Sequence, residues 1–226
     1  MSRDSRWLLP DGVDEIIPPQ AQLIEALRRR LLDVIDTWGY ALCMPATVEF
    51  LDALVSGGDD LELQTFKLTD QVSGRLLGIP ADMTPQIARI DAHRINAATP
   101  TRLCYFGPIL HTRPDKFAGS RNPLQLGAEL YGHPGIESDA EVISLMVEVL
   151  TAAEVGPITL DLGHMGIFHG LAAAATLDAE REGRVLDVLL RKAASELPEV
   201  LAGVDAAAAA RLSALLSLNG DATVLD

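Results

Sequence analysis

The chain has 226 residues, with 18 Lys plus Arg against 32 Asp plus Glu, a formal net charge of −14 and 48% hydrophobic residues. This length and balance suit one sizeable domain or two small ones and exclude a wholly disordered chain. No apolar run reaches the roughly 18 residues of a membrane span, no secretory apolar stretch opens the chain, and the acidity argues against non-specific nucleic-acid binding.

The charge is uneven. Residues 1–113 carry 11 basic and 15 acidic groups, residues 114–226 carry 7 and 17, so an anionic ligand is expected to meet the first half. Cys43 and Cys104 stand 61 residues apart in apolar runs and form no paired-cysteine motif. They are expected to be reduced core thiols of a cytoplasmic protein. The five histidines show no ligand spacing, so no metal is expected.

Residues 20–38 read as an amphipathic helix, with Leu23, Ile24, Leu27, Leu31, Val34, Ile35 and Trp38 at three- and four-residue steps. Arg28, Arg29 and Arg30 belong on its outer face. Gly39 stands where a left-handed terminating residue belongs. Tyr40 to Met44 reads as a short strand ending at Pro45. Residues 63–79 read as a hairpin around a polar turn at Thr69–Gly74. Thr84 is expected to cap, and Pro85 to open, a helix running to about Asn96.

Residues 101–111 and 124–131 read as strands joined by a turn-rich loop carrying Arg113, Lys116 and Arg121. The period of two places Gln125, Gly127, Glu129 and Tyr131 on one face of the second strand and Leu124, Leu126, Ala128 and Leu130 on the other. Ser138-Asp139-Ala140-Glu141 reads as a capping box before a helix to about Ala153. Ile158 to Leu162 reads as a further strand, and residues 170–217 as Ala- and Leu-rich helices broken near Gly183, Pro198 and Gly203. The fold class is α+β, a mainly antiparallel sheet with helices and then a small helical unit.

Several segments together resemble class II aminoacyl-tRNA synthetases. WGYALCMP (38–45) resembles motif 1, the dimer-forming segment of that class. GPILHTRPD (107–115) and LQLGAELYG (124–132) resemble the two strands of motif 2. The Gln-x-Gly-x-Glu pattern at Gln125, Gly127 and Glu129 resembles the histidyl branch, and ADMTPQIAR (81–89) its Pro-Glu-Gly-Thr segment, with Asp82 and Thr84 in matching places. WLLPDGVDEIIPPQA (7–21), the loop text and LGHMGIFHGL (162–171) resemble a paralogous family, the regulatory subunits of ATP phosphoribosyltransferase. The resemblance covers about residues 7–175 and implies a class II synthetase-like core over 1–165, incomplete without motif 3, and a helical insertion-like unit over 166–226.

The resemblance also implies a histidine pocket. Asp82, Thr84 and Gln125 would hold the amino end and Glu129 would accept from the imidazole. Strand alternation independently puts Gln125 and Glu129 on one surface, with Gly127 between them leaving room for a ligand. From the residues alone, Gln125 and Glu129 can equally be solvated strand residues, and Asp82 and Thr84 helix caps.

Adenylation needs an arginine on the first strand of motif 2, and that place, 14 residues before Gln125, is held by His111. Imidazole forms no bidentate fork and is mostly neutral at pH 7. His111, Arg113 and Arg121 remain candidates for carboxylate or phosphate contacts. The resemblance therefore implies a non-catalytic regulatory subunit without a cofactor. It would form a homodimer within a hetero-oligomer, paired with a short-form ATP phosphoribosyltransferase catalytic subunit in the first step of histidine biosynthesis, with feedback by histidine. A fragment or divergent form of histidyl-tRNA synthetase and a free-standing histidine-binding module are the alternatives.

Overall fold

The computed structural model describes residues 7–54, 59–114 and 119–225, so Lys116 lies outside the described residues. The chain divides into two compact units, Met1–Ile158 and Thr159–Asp226.

The first unit opens with helix α1, Gln20–Thr37, which buries Leu31 and Ile35. Leu23, expected on the same apolar face, is exposed. Gly39 ends the helix at φ +79°, the left-handed conformation that its lack of Cβ permits. Arg28 and Arg29 both donate to Glu25, and Arg30 reaches Glu154. The central sheet has the order β1-β5-β6. Strand β1 is only Ala41–Leu42 and runs parallel to β5, Thr101–Pro108. Strand β6, Leu124–Tyr131, runs antiparallel to β5 along its whole length.

Alternation along β6 sorts the two faces as expected. Leu126, Ala128 and Leu130 pack with Ile35, Tyr40, Cys104 and Leu145 in a core closed by α1 and helix α5, Ile136–Ala152. Arg102 of β5 pins that layer through a two-pronged pair with Glu141, at 2.6 and 2.7 Å. The buried Tyr40 hydroxyl donates to the same carboxylate at 3.0 Å. Burial foremost, and then Glu141, push the Tyr40 phenol up to about 12.

Helix α4, Thr84–Ile90, covers the opposite face, and Met83, Ile87, Leu103, Tyr105 and Ile109 form its core with Tyr131 against them. It passes into a π-helical turn, Asp91–Ile95, closed by Asn96 at φ +45°. A second sheet has the order β2-β4-β3, with β2 at Glu49–Phe50, β3 at Phe66–Thr69 and β4 at Leu76–Ile79. Short helices α2, Leu51–Leu54, and α3, Asp59–Gln64, precede β3. The buried Gln86 ties α4 to this sheet by donating to the Ala46 carbonyl at 2.8 Å and to Glu49 at 2.9 Å.

The second unit contains α6, Met165–Ala174, α7, Ala179–Leu190, α8, Leu197–Val200, and α9, Ala206–Ala214. Phe168, Ala172, Val185, Val188 and Leu212 lie at the centre of its core. Asp178 caps α7 through the Arg181 amide, and Asp205 caps α9 through the Ala207 and Ala208 amides.

Several local expectations need correction. Ser138 is not a cap: Gly135 caps α5, and the Ser138 hydroxyl instead meets His133, donating to its carbonyl and sharing a hydrogen bond with its ring Nδ1. Glu141 is drawn away to Arg102 and Tyr40. Thr84 lies inside α4, whose cap position is Met83, and the Thr84 amide is bound by Asp82. β5 ends at Pro108 rather than at residue 111, and residues 63–64 are the end of α3 rather than the start of the hairpin. Ile158 to Leu162 is irregular rather than a strand, because an isolated extended segment without a ladder partner gains nothing for its ordering. α7 runs unbroken through Gly183, since neighbouring helix formers and packing outweigh the single-glycine penalty of about 1 kcal/mol.

Candidate functional site

The four residues expected to hold an amino acid meet where α4 begins against the β6 surface. Gln125 spans the junction: its Oε1 accepts from the Met83 amide at 2.9 Å, and its Nε2 donates to Asp82 Oδ1 at 2.7 Å. The Thr84 amide donates to the same Asp82 oxygen at 3.0 Å. The arrangement places one carboxylate at the helix start, where backbone dipoles favour negative charge.

Tyr105, which the sequence reading did not single out, connects this end to Glu129. Its hydroxyl lies 2.9 Å from the Thr84 hydroxyl and donates to Glu129 Oε1 at 3.3 Å. Burial pushes the Tyr105 phenol up to about 12. Burial also pushes the Glu129 carboxyl above its ordinary range, with the Thr84 and Tyr105 hydroxyls opposing and the Asp82 charge reinforcing it. Hydrogen bonds thus connect Gln125, Asp82, Thr84, Tyr105 and Glu129 across three elements. One strand's alternation and a helix start bring them together, while Tyr105 enters through a cross-strand register that a single strand's pattern does not display.

The register also corrects the reading of Gly127. Tyr105 is its cross-strand partner, and a Cβ on Gly127 would lie 2.2 Å from the Tyr105 Cζ and hydroxyl oxygen. The small residue therefore makes room for this ring rather than for a ligand directly. The ring in turn presents its hydroxyl to Glu129 and Thr84.

His111 and Arg121 lie beside this set but are otherwise engaged. His111 Nε2 is 2.9 Å from the Ala81 carbonyl, which makes that nitrogen the protonated one. Arg121 donates Nε to the His111 carbonyl at 3.0 Å and an Nη to the Asp11 carbonyl at 3.0 Å, and its guanidinium lies 5.0 Å from the centre of the Phe66 ring. Its amide donates to the Gly12 carbonyl at 2.6 Å, while Asn122 exchanges hydrogen bonds with the Asp14 amide and carbonyl. Arg113 is exposed on the loop, apart from the connected set. Two further buried polar atoms, Tyr131 Oη and Asp91 Oδ1, have no hydrogen-bond partner among the described residues.

Among the described residues, no group of three or more His, Cys, Asp or Glu is placed to hold a metal ion, and no helix is long and apolar enough to cross a membrane. Cys104 is buried and its thiol is pushed up to about 11 by burial, and burial also raises the half-buried Cys43.

Comparisons with known proteins agree with this architecture. Residues 12–226 match the histidyl-tRNA synthetase family model. The chain is 56% identical over its full length to an ATP phosphoribosyltransferase regulatory subunit of Thioalkalivibrio sulfidiphilus, covering 58% of that protein. It is 55% identical, again over its full length, to a protein of the same name from Alkalilimnicola ehrlichii, covering 57% of it. A Bacillus halodurans structure described as an ATP phosphoribosyltransferase regulatory subunit/histidyl-tRNA synthetase superposes with a TM-score of 0.87 at 27% identity, over all of this chain and 59% of that one. The chain thus spans a little under three fifths of the relatives it matches. It belongs to the histidyl-tRNA synthetase family, and within that family it is similar to the ATP phosphoribosyltransferase regulatory subunits.

Proposed function

We propose that this chain acts as a non-catalytic regulatory subunit of ATP phosphoribosyltransferase, supporting a short-form catalytic subunit in the first step of histidine biosynthesis. Histidine would act as feedback signal through Asp82, Thr84, Gln125 and Glu129. The observation that carries the non-catalytic reading is at His111. The imidazole there spends its Nε2 proton on the Ala81 carbonyl, where adenylation needs an arginine fork. The nearby Arg121 is turned onto backbone carbonyls instead of facing the pocket. Loss of such preorganised positive charge costs a phosphoryl-type transition state several kcal/mol, on the order of 3–4.

The relatives, named as regulatory subunits of ATP phosphoribosyltransferase, support the catalytic partner. A homodimer built on residues 38–45 is supported by Leu42 and Met44, which are 48% and 83% exposed. We also place the protein in the cytoplasm, in keeping with its unpaired thiols.

The test is to mix the chain with a short-form catalytic subunit, follow phosphoribosyl-ATP formation and titrate histidine. Stimulation reversed by histidine is expected. Coupling of ordinary size, about 1–3 kcal/mol, would appear as a 5–150-fold change. ATP–pyrophosphate exchange dependent on histidine would instead identify a divergent synthetase, and histidine binding with no effect on the catalytic subunit a free-standing binding module.

A further inference from the structure

The second unit carries a cavity of its own, about 330 Å³ in volume, lined by the end of α6, the first turn of α7 and the turn that leads into α9. That size lies at the small end of ligand pockets, roughly 300–1,000 Å³. Its floor is apolar: Leu171, Leu177 and Val204 line it and pack against the core of the unit. Two cations, Arg181 and Arg211, line it as well.

Neither cation is neutralised by the protein. Arg181 donates Nε to the Val200 carbonyl at 2.8 Å and one Nη to the Ala202 carbonyl. Two carbonyls thus fix the plane of the guanidinium without cancelling its charge, and the other Nη keeps its N–H groups to offer. The Arg211 side chain, on α9, forms no hydrogen bond or ion pair among the described residues. Asp205 also lines the cavity, but its Oδ2 is committed to the Ala207 and Ala208 amides at the start of α9. Arg191 of the same unit shows the contrast, since both Asp187 and Glu196 hold it. In a chain of net charge −14, carboxylates are plentiful. A fixed guanidinium and a second unpaired one on a common cavity therefore mark a place for an anion from outside.

Thr176 adds an independent observation. It closes α6 at φ +53°, a left-handed backbone that a β-branched residue adopts only at a cost. The other non-glycine residues at positive φ, Asn96, Glu154 and Lys192, are not β-branched. Glycine would relieve this backbone, but it would also remove a hydroxyl that lines the cavity and has no partner among the described residues.

We propose that Arg181, Arg211 and Thr176 form a site for a small organic anion, a carboxylate or phosphate group on a compact apolar body. The anionic group is held by the two guanidiniums and the Thr176 hydroxyl, and the body lies on Leu171, Leu177 and Val204. The site shares no residue with the connected set at α4 and β6 and does not depend on the histidine reading.

The test uses the full chain and heteronuclear NMR, with benzoate and phenyl phosphate as probes. Benzyl alcohol is the uncharged control, and inorganic phosphate the anion without an apolar body. At millimolar concentrations at least one probe is expected to shift the Thr176, Gly203 and Ala208 amides, and the tighter of the two identifies the preferred anionic group. Arg211→Gln should weaken that binding about tenfold while leaving the ligand-free melting temperature unchanged. Thr176→Gly should raise the ligand-free melting temperature and weaken binding severalfold. Absence of these shifts with both probes would overturn the assignment. So would wild-type affinity in Arg211→Gln or in Thr176→Gly, or binding of benzyl alcohol as tight as that of benzoate. Inorganic phosphate binding as tightly as phenyl phosphate would reduce the site to general charge attraction and overturn it too.

Discussion

Replacing Gly127 by Ala tests the central packing claim of the site. Gly127 needs no unusual backbone, because its φ is not among the positive values. In a strand, Ala would ordinarily be as good as Gly or better by roughly 0.5–1 kcal/mol. Here the added methyl would lie 2.2 Å from the Tyr105 Cζ and hydroxyl oxygen and 2.7 Å from Cε2. Tyr105 is 3% exposed, so its ring has no open side to move into. Overpacking of this kind costs about 1–3 kcal/mol. Displacing the phenol also breaks its links to Thr84 and Glu129, at about 0.5–1.5 kcal/mol each. The expected loss is therefore about 2–6 kcal/mol. Urea unfolding followed by Trp38, which sits at the end of α1 in the same unit, reads it out. A Tyr105→Ala background removes the clash, so Gly127→Ala should there cost almost nothing, and the double variant keeps the test informative if the single one does not fold. A loss under about 0.5 kcal/mol in the Tyr105-containing chain would refute the reasoning.

Four further outcomes are expected. Glu129→Gln keeps an acceptor for Tyr105 while removing a carboxyl whose folded pKa is raised by burial; a raised carboxyl loses stability as pH rises past its unfolded value near 4.3, so the variant should melt a few degrees higher at pH 7 and like wild type below about pH 4. Gln86→Leu leaves the Ala46 carbonyl and Glu49 without their donor at a site 1% exposed, and should cost about 1–3 kcal/mol in chemical denaturation. Asp205→Ala removes the cap on two amides of α9 and should destabilise the second unit by about 1 kcal/mol, seen as loss of helical circular dichroism at lower temperature. Cys43 should react with a disulfide reagent in the native protein at pH 8, whereas Cys104 should react only on unfolding, as burial raises its thiol to about 11.

The parts of this molecule that were legible in the sequence are those set by one element's own period. Alternation along β6 sorted Leu126, Ala128 and Leu130 from Gln125 and Glu129, and the three- and four-residue rhythm located α1 to within a residue. What stayed hidden depends on a partner elsewhere in the chain. Tyr105 joins the connected set through its register with Gly127, which a linear pattern does not contain. Ser138 and Glu141 had the spacing of a capping box, but His133 and Arg102 compete for their side chains. Ile158 to Leu162 has strand composition without a neighbour to pair with. A local motif specifies what a side chain is able to do, and the tertiary competition decides what it does.

The hydrogen bonds between residues 11–14 and the loop at residues 121–122 have a practical side. Asp11, Gly12 and Asp14 together engage the loop through four hydrogen bonds. The same Arg121 grips the His111 carbonyl, and His111 grips Ala81, the residue before Asp82. The amino-terminal segment is therefore a latch, mechanically in series with the pocket. A variant trimmed through Asp14, or carrying a bulky fusion close to it, would unfasten the loop before it altered any pocket residue. Loss of ligand response in such a variant would report on the latch rather than on the pocket.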